Sequence, residues 1–189
     1  MTRRRYLFDT PDRFVAGTVG EPGSRVFVLQ ARDGSRIVSV ALEKVQVAAL
    51  AQRLDELLDE LERRGIEGAA EDEAMSADPA PLDEPINEAF RAGTLTLGWD
   101  TSDDLVLVEA REQVEDEEAE EAEEAEEAED DAEDGPDVLR VRMTPLAARE
   151  FVARAVRVLS SGRPPCPLCG QPLDPQGHLC PRRNGHFLN

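Results

Sequence analysis

The chain confines all of its cysteines and histidines to one short window, residues 166 to 186. Cys166 and Cys169 form a Cys-x-x-Cys turn followed by Gly170, and Cys180 lies further along. Such a turn lets two thiolates converge on one metal ion while backbone N–H groups point at the sulfur atoms, and zinc prefers Cys and His ligands arranged as a tetrahedron. We therefore predict that these three cysteines bind Zn²⁺.

The fourth zinc ligand has two candidates. His178 lies two residues before Cys180 and follows Gly177, which permits a tight turn. His186 lies six residues after Cys180, a common loop length between zinc ligands, but it is close to a chain end that tends to fray. We favour His178 and keep His186 as the alternative.

The segment around these ligands, residues 163–189, is rich in proline and glycine and too short to bury a core of its own. A structural zinc ion stabilises such a segment by on the order of 10 kcal/mol. Redox proteins also use Cys-x-x-Cys, usually at the start of a helix, but the prolines here disfavour a helix. With four protein ligands the zinc is structural rather than catalytic, since catalytic zinc needs an open position. Arg182 and Arg183 beside it are candidate anion-binding groups.

The body of the chain, residues 1–165, contains neither histidine nor cysteine. This excludes Ser-His-Asp and Cys-His catalysis from the body. It also lacks the glycine-rich motifs that bind nucleotide phosphates, and its many carboxylates are typical of a solvated surface. The composition therefore favours a protein without enzymatic activity.

An internal repeat organises the body. Residues 14–18 match residues 90–94, residues 28–32 match 107–111, and residues 37–42 match 138–143, each pair being followed by a helical pattern. We predict an α+β fold with an internally duplicated strand-strand-strand-helix body and a zinc-ribbon-like tail. The first copy spans 1–66, a linker rich in Ala, Asp, Glu and Pro spans 67–86, and the second copy spans 87–162.

Each copy of the repeat ends in an amphipathic helix. In the first, Val47, Leu50, Leu54, Leu57, Leu58 and Leu61 recur at helical spacing, and Gly65 suits its C-terminal end. In the second, Thr144 suits the N-cap and Pro145 the first turn, and the inner face consists of Leu146, Phe151, Val152, Ala155, Val158 and Leu159. These apolar faces are predicted to form the core.

The second copy carries an acidic insertion, residues 113–136, at a position where the first copy has a short Asp-Gly hairpin turn. Its central residues 115–134 comprise 15 acidic residues and five alanines, so most of the net charge of −20 is local. Hairpin tips tolerate insertions because loop closure costs little extra entropy. We predict a disordered acidic loop outside the core.

Composition also restricts location and partners. No apolar run is long enough to span a membrane, and no secretory signal follows the N-terminal arginines. Three cysteines cannot pair completely, so a reducing, cytoplasmic compartment is expected. The strong negative charge disfavours nucleic-acid binding, although arginines flank the zinc ligands.

Several segments resemble one known family. Residues 14–23, 27–34 and 40–44, the Cys166-Pro-Leu-Cys-Gly turn and residues 177–185 are similar to an actinobacterial family called domain of unknown function 3090. The resemblance covers nearly the whole chain except the acidic insertion. It implies a repeat protein of unknown activity, whose gene is often near those of a histidine-phosphatase-like and a lipid-kinase-like protein.

These observations favour a non-enzymatic, zinc-stabilised scaffold or adaptor that binds another protein, which could be the product of a neighbouring gene. Two alternatives stay open. One is an enzyme or regulator acting on a phosphorylated small molecule or nucleotide, with Arg182 and Arg183 binding the anion. The other is a nucleic-acid-binding zinc protein.

Overall fold

The computed structural model describes residues 3–21, 23–70, 78–114, 135–161, 166 and 168. The predicted α+β class is confirmed, with seven strands and two helices in the described residues. In chain order they are β1 (Arg5–Asp9), β2 (Arg13–Val19), β3 (Val26–Asp33), β4 (Arg36–Leu42), α1 (Lys44–Arg63), β5 (Glu88–Asp100), β6 (Leu105–Glu112), β7 (Val138–Met143) and α2 (Pro145–Ser160).

The strands form one mixed sheet in the order β1-β7-β6-β5-β4-β3-β2. Strands β2 to β4 form one antiparallel meander and strands β5 to β7 form another. The two meanders join through a short parallel pairing of β4 with β5, and β1 adds in parallel to β7. The long strand β5 pairs with β4 near its start and with β6 from Ala92 onward, so it belongs to both meanders.

Connectivity requires this sheet to curl. Strands β1 and β2 lie at opposite edges of the sheet, yet only residues 10–12 separate them in sequence. Consecutive Cα atoms are about 3.8 Å apart, so three residues reach across the sheet only if its two edges approach each other. The Arg36 side chain of β4 donates a hydrogen bond of 3.0 Å to the Leu7 carbonyl oxygen of β1, which confirms the approach.

Both helices begin as the sequence predicts. At α1 the Gln46 side chain accepts a hydrogen bond of 2.8 Å from the Glu43 backbone N–H, which satisfies a donor at the helix start. At α2 the Thr144 hydroxyl accepts one of 3.2 Å from the Ala147 N–H, and Pro145 occupies the first turn. Neither described helix has the combination of length and apolar character that a membrane span requires.

The core lies between the helices and one face of the sheet, here called the inner face. Phe14 of β2 stacks on Phe151 of α2 with ring centroids 4.9 Å apart, and the leucine face of α1 packs beside it. Burying such side chains stabilises the fold by about 1.5–3 kcal/mol each. Leu146, predicted on the inner face of α2, is instead 38% exposed because the helix turns its Ala148 and Phe151 side toward the sheet.

Strand β1 was not predicted from sequence, whereas the position of the acidic insertion was. Strand β1 precedes the three strands expected in the first copy and completes the sheet beside β7. The acidic insertion does lie at the tip of a hairpin, because Arg111 of β6 pairs with Val138 of β7 on either side of it. Residues 115–134 themselves lie outside the described part of the chain.

Helix α2 is joined to α1 by a buried arginine. Arg149 is only 4% exposed, and its guanidinium contacts Asp55 and Asp59 at 2.7 Å each. Its Nε also donates a hydrogen bond of 2.6 Å to the Ala69 carbonyl oxygen. Planar guanidinium groups suit such multiple contacts because their five N–H donors are fixed in one plane. Arg149 therefore holds both helices and the segment after α1 together.

Replacing this arginine tests its contribution. We expect Arg149→Ala to lower the free energy of unfolding by about 2–3 kcal/mol, because the buried Ala69 carbonyl loses its donor and two helices lose their shared ion pair. The measurement is urea unfolding followed by circular dichroism. Arg53→Ala, on the exposed side of α1, is the matched control and should change stability by less than about 0.5 kcal/mol. Equal effects of the two substitutions would contradict a structural role for Arg149.

Candidate functional site

The predicted metal centre is described at its first ligand only. Cys166 is buried, and its Sγ accepts a hydrogen bond of 3.4 Å from the Leu168 backbone N–H. An N–H group that points at a cysteine sulfur two residues earlier stabilises the thiolate form that binds metal. The start of the Cys-x-x-Cys turn thus has a geometry that fits a zinc ligand.

The other predicted site residues lie outside the described residues. These are the ligand candidates Cys169, His178, Cys180 and His186 and the anion-binding candidates Arg182 and Arg183. Within the described ranges, no group of three His, Cys, Asp or Glu side chains is placed to hold a metal ion. The zinc site therefore stays a prediction.

Helix α2 precedes this turn in sequence, and its C-terminal end is held at a defined place. The carbonyl oxygen of Ser161, just past the end of α2, accepts a hydrogen bond of 2.9 Å from the Arg25 side chain. Arg25 lies in the connection between β2 and β3, so the end of α2 is fixed beside that hairpin. This bond satisfies one of the carbonyl groups that a helix leaves unpaired at its C-terminus.

A second segment of interest, residues 78–87, crosses the outer face of the sheet, opposite the helices; we call it the strap. Leu82 of the strap covers Gly17 of β2 so closely that a Cβ atom there would lie 2.6 Å from it. Asp83 exchanges two hydrogen bonds with the buried side chain of Gln30, of 2.7 and 2.9 Å. Part of the predicted linker is therefore packed against the sheet.

Two arginines fix the strap. Arg13 of β2 contacts Asp78 and Asp83 at 2.6 Å each. Arg154 of α2 is buried, and it donates hydrogen bonds to the Ala16 carbonyl of β2 and to the Asp78 and Ala80 carbonyls of the strap, at 2.8, 2.5 and 2.7 Å. Because β2 is an edge strand, the bond to Ala16 also pairs a backbone group that the sheet leaves open.

Burial and neighbouring charges shift the pKa values of the ionisable groups around the strap. Burial alone would raise the pKa of Asp78, but hydrogen bonds from Arg13 and from the Ala80 N–H, with the positive charges of Arg13 and Arg154, lower it below its usual 3.8. Burial lowers the pKa of Arg154, only partly offset by Asp78. The shift of Asp78 comes from its hydrogen bonds and ion pairs and that of Arg154 from burial, and ionised Asp78 is the form that the fold favours.

Beyond the strap, the outer face of the sheet carries a shallow groove of about 160 Å³. We define the groove by its lining residues, which are Val19, Val26, Val28, Ser39, Ala41, Ile86 and Glu88. Small-molecule sites usually measure about 300–1,000 Å³ and contain several converging polar groups. The groove is smaller and mostly aliphatic, so it suits one or two apolar side chains rather than a nucleotide.

Charged clusters elsewhere on the sheet also consist of ion pairs between residues of the chain itself. Glu109 of β6 is buried and accepts hydrogen bonds from Arg111 and Arg140, at 2.8 and 2.7 Å. Arg142 of β7 contacts Asp100 and Asp103, and these interactions raise the pKa of Arg142, mainly through the hydrogen bond with Asp103. Such pairing leaves each of these carboxylates engaged with a cation.

Sequence analysis missed the buried arginines and the groove. Arg149 and Arg154 flank the apolar face of α2, and this position at the edge of the face was the available signal. Polar residues at such borders are ordinarily solvated, and only their distant partners make them buried. The groove depends on where the strap crosses the sheet, which no local pattern predicts.

The strap generates a pH-dependent prediction. We expect Asp78→Asn to lower the free energy of unfolding by about 1–2 kcal/mol at neutral pH, because Arg13 loses a charged acceptor. A carboxylate with a lowered pKa in the folded state stabilises the fold above the unfolded pKa, and it loses this effect as the pH falls through the folded value. The difference between wild type and Asp78→Asn should therefore shrink as the pH falls below 3.8.

The measurement is guanidinium unfolding of both proteins over a range of acidic pH. Asp33→Asn, at an exposed position on the neighbouring strand β3, is the control and should leave stability nearly unchanged at every pH. A difference between Asp78→Asn and wild type that is constant down to the lowest pH would contradict this account.

Comparison with known proteins gives one match. A family model described as "Protein of unknown function (DUF3090)" matches residues 6–180. No curated protein and no solved structure gives a significant match. The matched range covers the described sheet except Arg5, both described helices and all three cysteines, and so most of the chain. The chain therefore belongs to the DUF3090 family.

Proposed function

We propose that this protein is a non-enzymatic adaptor, with a duplicated α+β body and a tail folded around a structural zinc ion. Cys166, Cys169, Cys180 and His178 would hold the metal, with His186 as the alternative to His178. The zinc would supply the tail with the stability that its short, proline-rich sequence cannot obtain from a core.

The main support for a non-enzymatic role is that the buried polar side chains make structural hydrogen bonds. In the described residues these are Gln30, Ser39, Glu109, Asp137, Arg149 and Arg154. Each of them makes a hydrogen bond within the fold. Catalytic sites usually hold polar groups with unusual pKa values aimed into a cleft. Here the buried polar groups hold strands, helices and the strap in place.

Support for zinc comes from the donor set. The hydrogen bond from the Leu168 N–H to the Cys166 sulfur is the kind that accompanies thiolate ligands. Three cysteines and two histidines within one short segment provide enough ligands for a closed tetrahedral site. A thiolate site of this kind needs a reducing environment, so the proposal includes a cytoplasmic location.

Strand pairing supports the duplication in part. Phe27 pairs with Leu42 in the first meander, and Val106 pairs with Met143 in the second. These two pairs differ by the offsets of 79 and 101 residues that the repeated sequences have. The first strands differ, because Phe14 lies opposite Ala31 whereas Phe90 lies opposite Val40 of the other meander. The repeats, if duplicated, have diverged where the two meanders join.

Metal analysis tests the zinc site. We expect about one zinc per chain in the untagged protein, lost in Cys166→Ser and in His178→Ala and retained in His186→Ala, because a structural site needs four ligands. The measurement is elemental analysis after gel filtration in a reducing buffer. Loss of zinc in His186→Ala but not in His178→Ala would identify His186 as the fourth ligand and would still support the zinc site. Absence of zinc from freshly reduced protein would overturn it.

The adaptor role itself has a separate test. The zinc-loaded chain should turn over no phosphorylated small molecule or nucleotide when incubated with a panel of phosphoesters and nucleotides and followed by phosphate release. Turnover that disappears with Cys166→Ser would replace the adaptor by an enzyme with an open metal site. The Cys166→Ser variant distinguishes activity of this protein from that of a contaminating phosphatase, because the activity of a contaminant would survive the substitution.

A further inference from the structure

The strap is held on the sheet in the way that proteins hold an extended peptide. Among the described residues, no backbone-to-backbone hydrogen bond joins residues 78–83 to a strand or a helix. Side chains of the body bind the backbone of the strap instead. Arg13 donates hydrogen bonds to the carbonyl oxygens of Ala80 and Pro81, at 3.0 and 2.9 Å, and Arg154 donates to two further contacts on strap carbonyls. Extended peptide ligands are recognised through the same backbone groups.

The body positions these side chains without help from the strap. The amide of Gln30 donates a hydrogen bond of 3.1 Å to the hydroxyl of Ser39, and the guanidinium of Arg154 donates one of 2.8 Å to the carbonyl of Ala16. Gly17 leaves the space that the leucine of the strap occupies. A binding surface whose groups are already held in place loses little conformational entropy on binding.

Burial is unequal on the two sides of this contact. Every residue of the strap is at least partly exposed, whereas Gly17, Gln30 and Arg154 beneath it are buried. Without an occupant, Gln30 and Arg154 would lose acceptors that they have in a largely buried environment, which is unfavourable. The strap therefore leaves this surface readily only in exchange for another segment that offers the same groups.

The contacts define what such a segment must contain. Leu82 fills the space over Gly17, and the next residue, Asp83, pairs with Arg13 through its carboxylate and with Gln30 through its backbone. Asp78 supplies a second carboxylate to Arg13. Prolines at 79, 81 and 85 restrict the unbound segment and so reduce the entropy lost on binding. The surface fits an extended, acidic, proline-containing segment in which leucine precedes aspartate.

We propose that Arg13, Gly17, Gln30 and Arg154 form a peptide-binding site, here called the strap site, which the strap occupies within its own chain and which an acidic Leu-Asp segment of a partner protein takes over. This inference rests on the proposed adaptor function and names the surface that performs it. Only residues 78–83 need to leave, because the other end of the strap continues into β5.

The partner is a different protein rather than a second copy of this chain. A second copy offers the same strap sequence, so an exchange of straps between two chains forms no contact that each chain lacks alone. It also forfeits the high effective concentration of a segment that is tethered beside its site. A partner segment gains the strap site only if it binds more tightly than the strap itself, which is why the strap restrains binding.

A peptide with the sequence of the strap tests whether the site accepts a ligand from outside the chain. A fluorescent synthetic peptide of residues 78–87 is titrated with the full-length protein and followed by anisotropy. Leu82→Ala weakens the strap of the protein and should bind the peptide at least about tenfold more tightly than wild type, because more of the strap site is open. Affinity should fall as salt rises, since Arg13 pairs with peptide carboxylates.

Two glycines locate the binding. With leucine in place, a Cβ atom on Gly17 would lie 2.6 Å from it, so Gly17→Ala in the Leu82→Ala protein should weaken peptide binding by at least about tenfold. Gly98→Ala is the matched control, because a Cβ atom on this glycine of β5 meets its nearest described neighbour at an ordinary 3.6 Å. Circular dichroism checks folding, and Asp78→Asn replaces Leu82→Ala as the strap-weakening variant should Leu82→Ala fail to fold.

The chemistry of the partner has its own test. Binders are selected from a phage-displayed library of random peptides on the full-length Leu82→Ala protein, and selection on the same protein with Gly17→Ala is the control. We expect the peptides enriched only in the first selection to share leucine followed by aspartate or glutamate. Enrichment of basic peptides, or of none, would overturn the assigned ligand chemistry.

Each outcome of the titrations decides the proposal. Tighter binding to Leu82→Ala than to wild type, lost with Gly17→Ala and kept with Gly98→Ala, supports the strap site. No binding to either strap-weakened variant, or binding that Gly17→Ala leaves unchanged, overturns it and leaves the adaptor role intact. A dimer of the wild-type chain that the peptide dissociates would make a second copy the occupant and overturn the partner segment. Turnover of a phosphorylated substrate would instead overturn the adaptor role.

Discussion

Arg154 joins helix α2, the edge strand β2 and the strap through one buried guanidinium group. Its buried guanidinium extends from α2 and donates to the open backbone of the edge strand β2 and to two carbonyls of the strap. Burial of an unpaired guanidinium would be strongly unfavourable, so these acceptors must be in place for α2 to pack. The position of α2 on the sheet and the path of the strap are thus mutually dependent.

Both surfaces with potential function follow from this dependence. The strap lies over Gly17 and Gln30. The groove begins where the strap no longer covers the outer face of the sheet. The end of α2 is held by Arg25 beside the same hairpin, and the Cys-x-x-Cys turn follows a few residues later. The placement of the groove and of the end of α2 therefore depends on arginine bonds to backbone carbonyls, which are long-range contacts between segments far apart in sequence.

This explains which parts of the fold the sequence could predict. The starts of both helices, the leucine face of α1 and the β3–β4 and β6–β7 hairpins depend on local caps, periodicity and turns, and all of them were predicted. Strand β1, the packed strap and the buried Arg149 and Arg154 depend on partners more than 60 residues away. For the candidate site, residue type and spacing indicate zinc ligands, but only tertiary packing determines the groove.

In the proposed function, the body and the tail draw their stability from different sources. The core runs from Phe8 on β1 to residues of α2, and among the described residues it includes no cysteine, although Cys166 is itself buried. Hydrophobic burial and buried ion pairs therefore stabilise the body without any metal ligand. The tail has too few apolar residues for a core, and the proposal made above assigns its stability to metal ligation. If the proposed zinc is removed, the tail should change while the sheet, the strap and the groove stay in place.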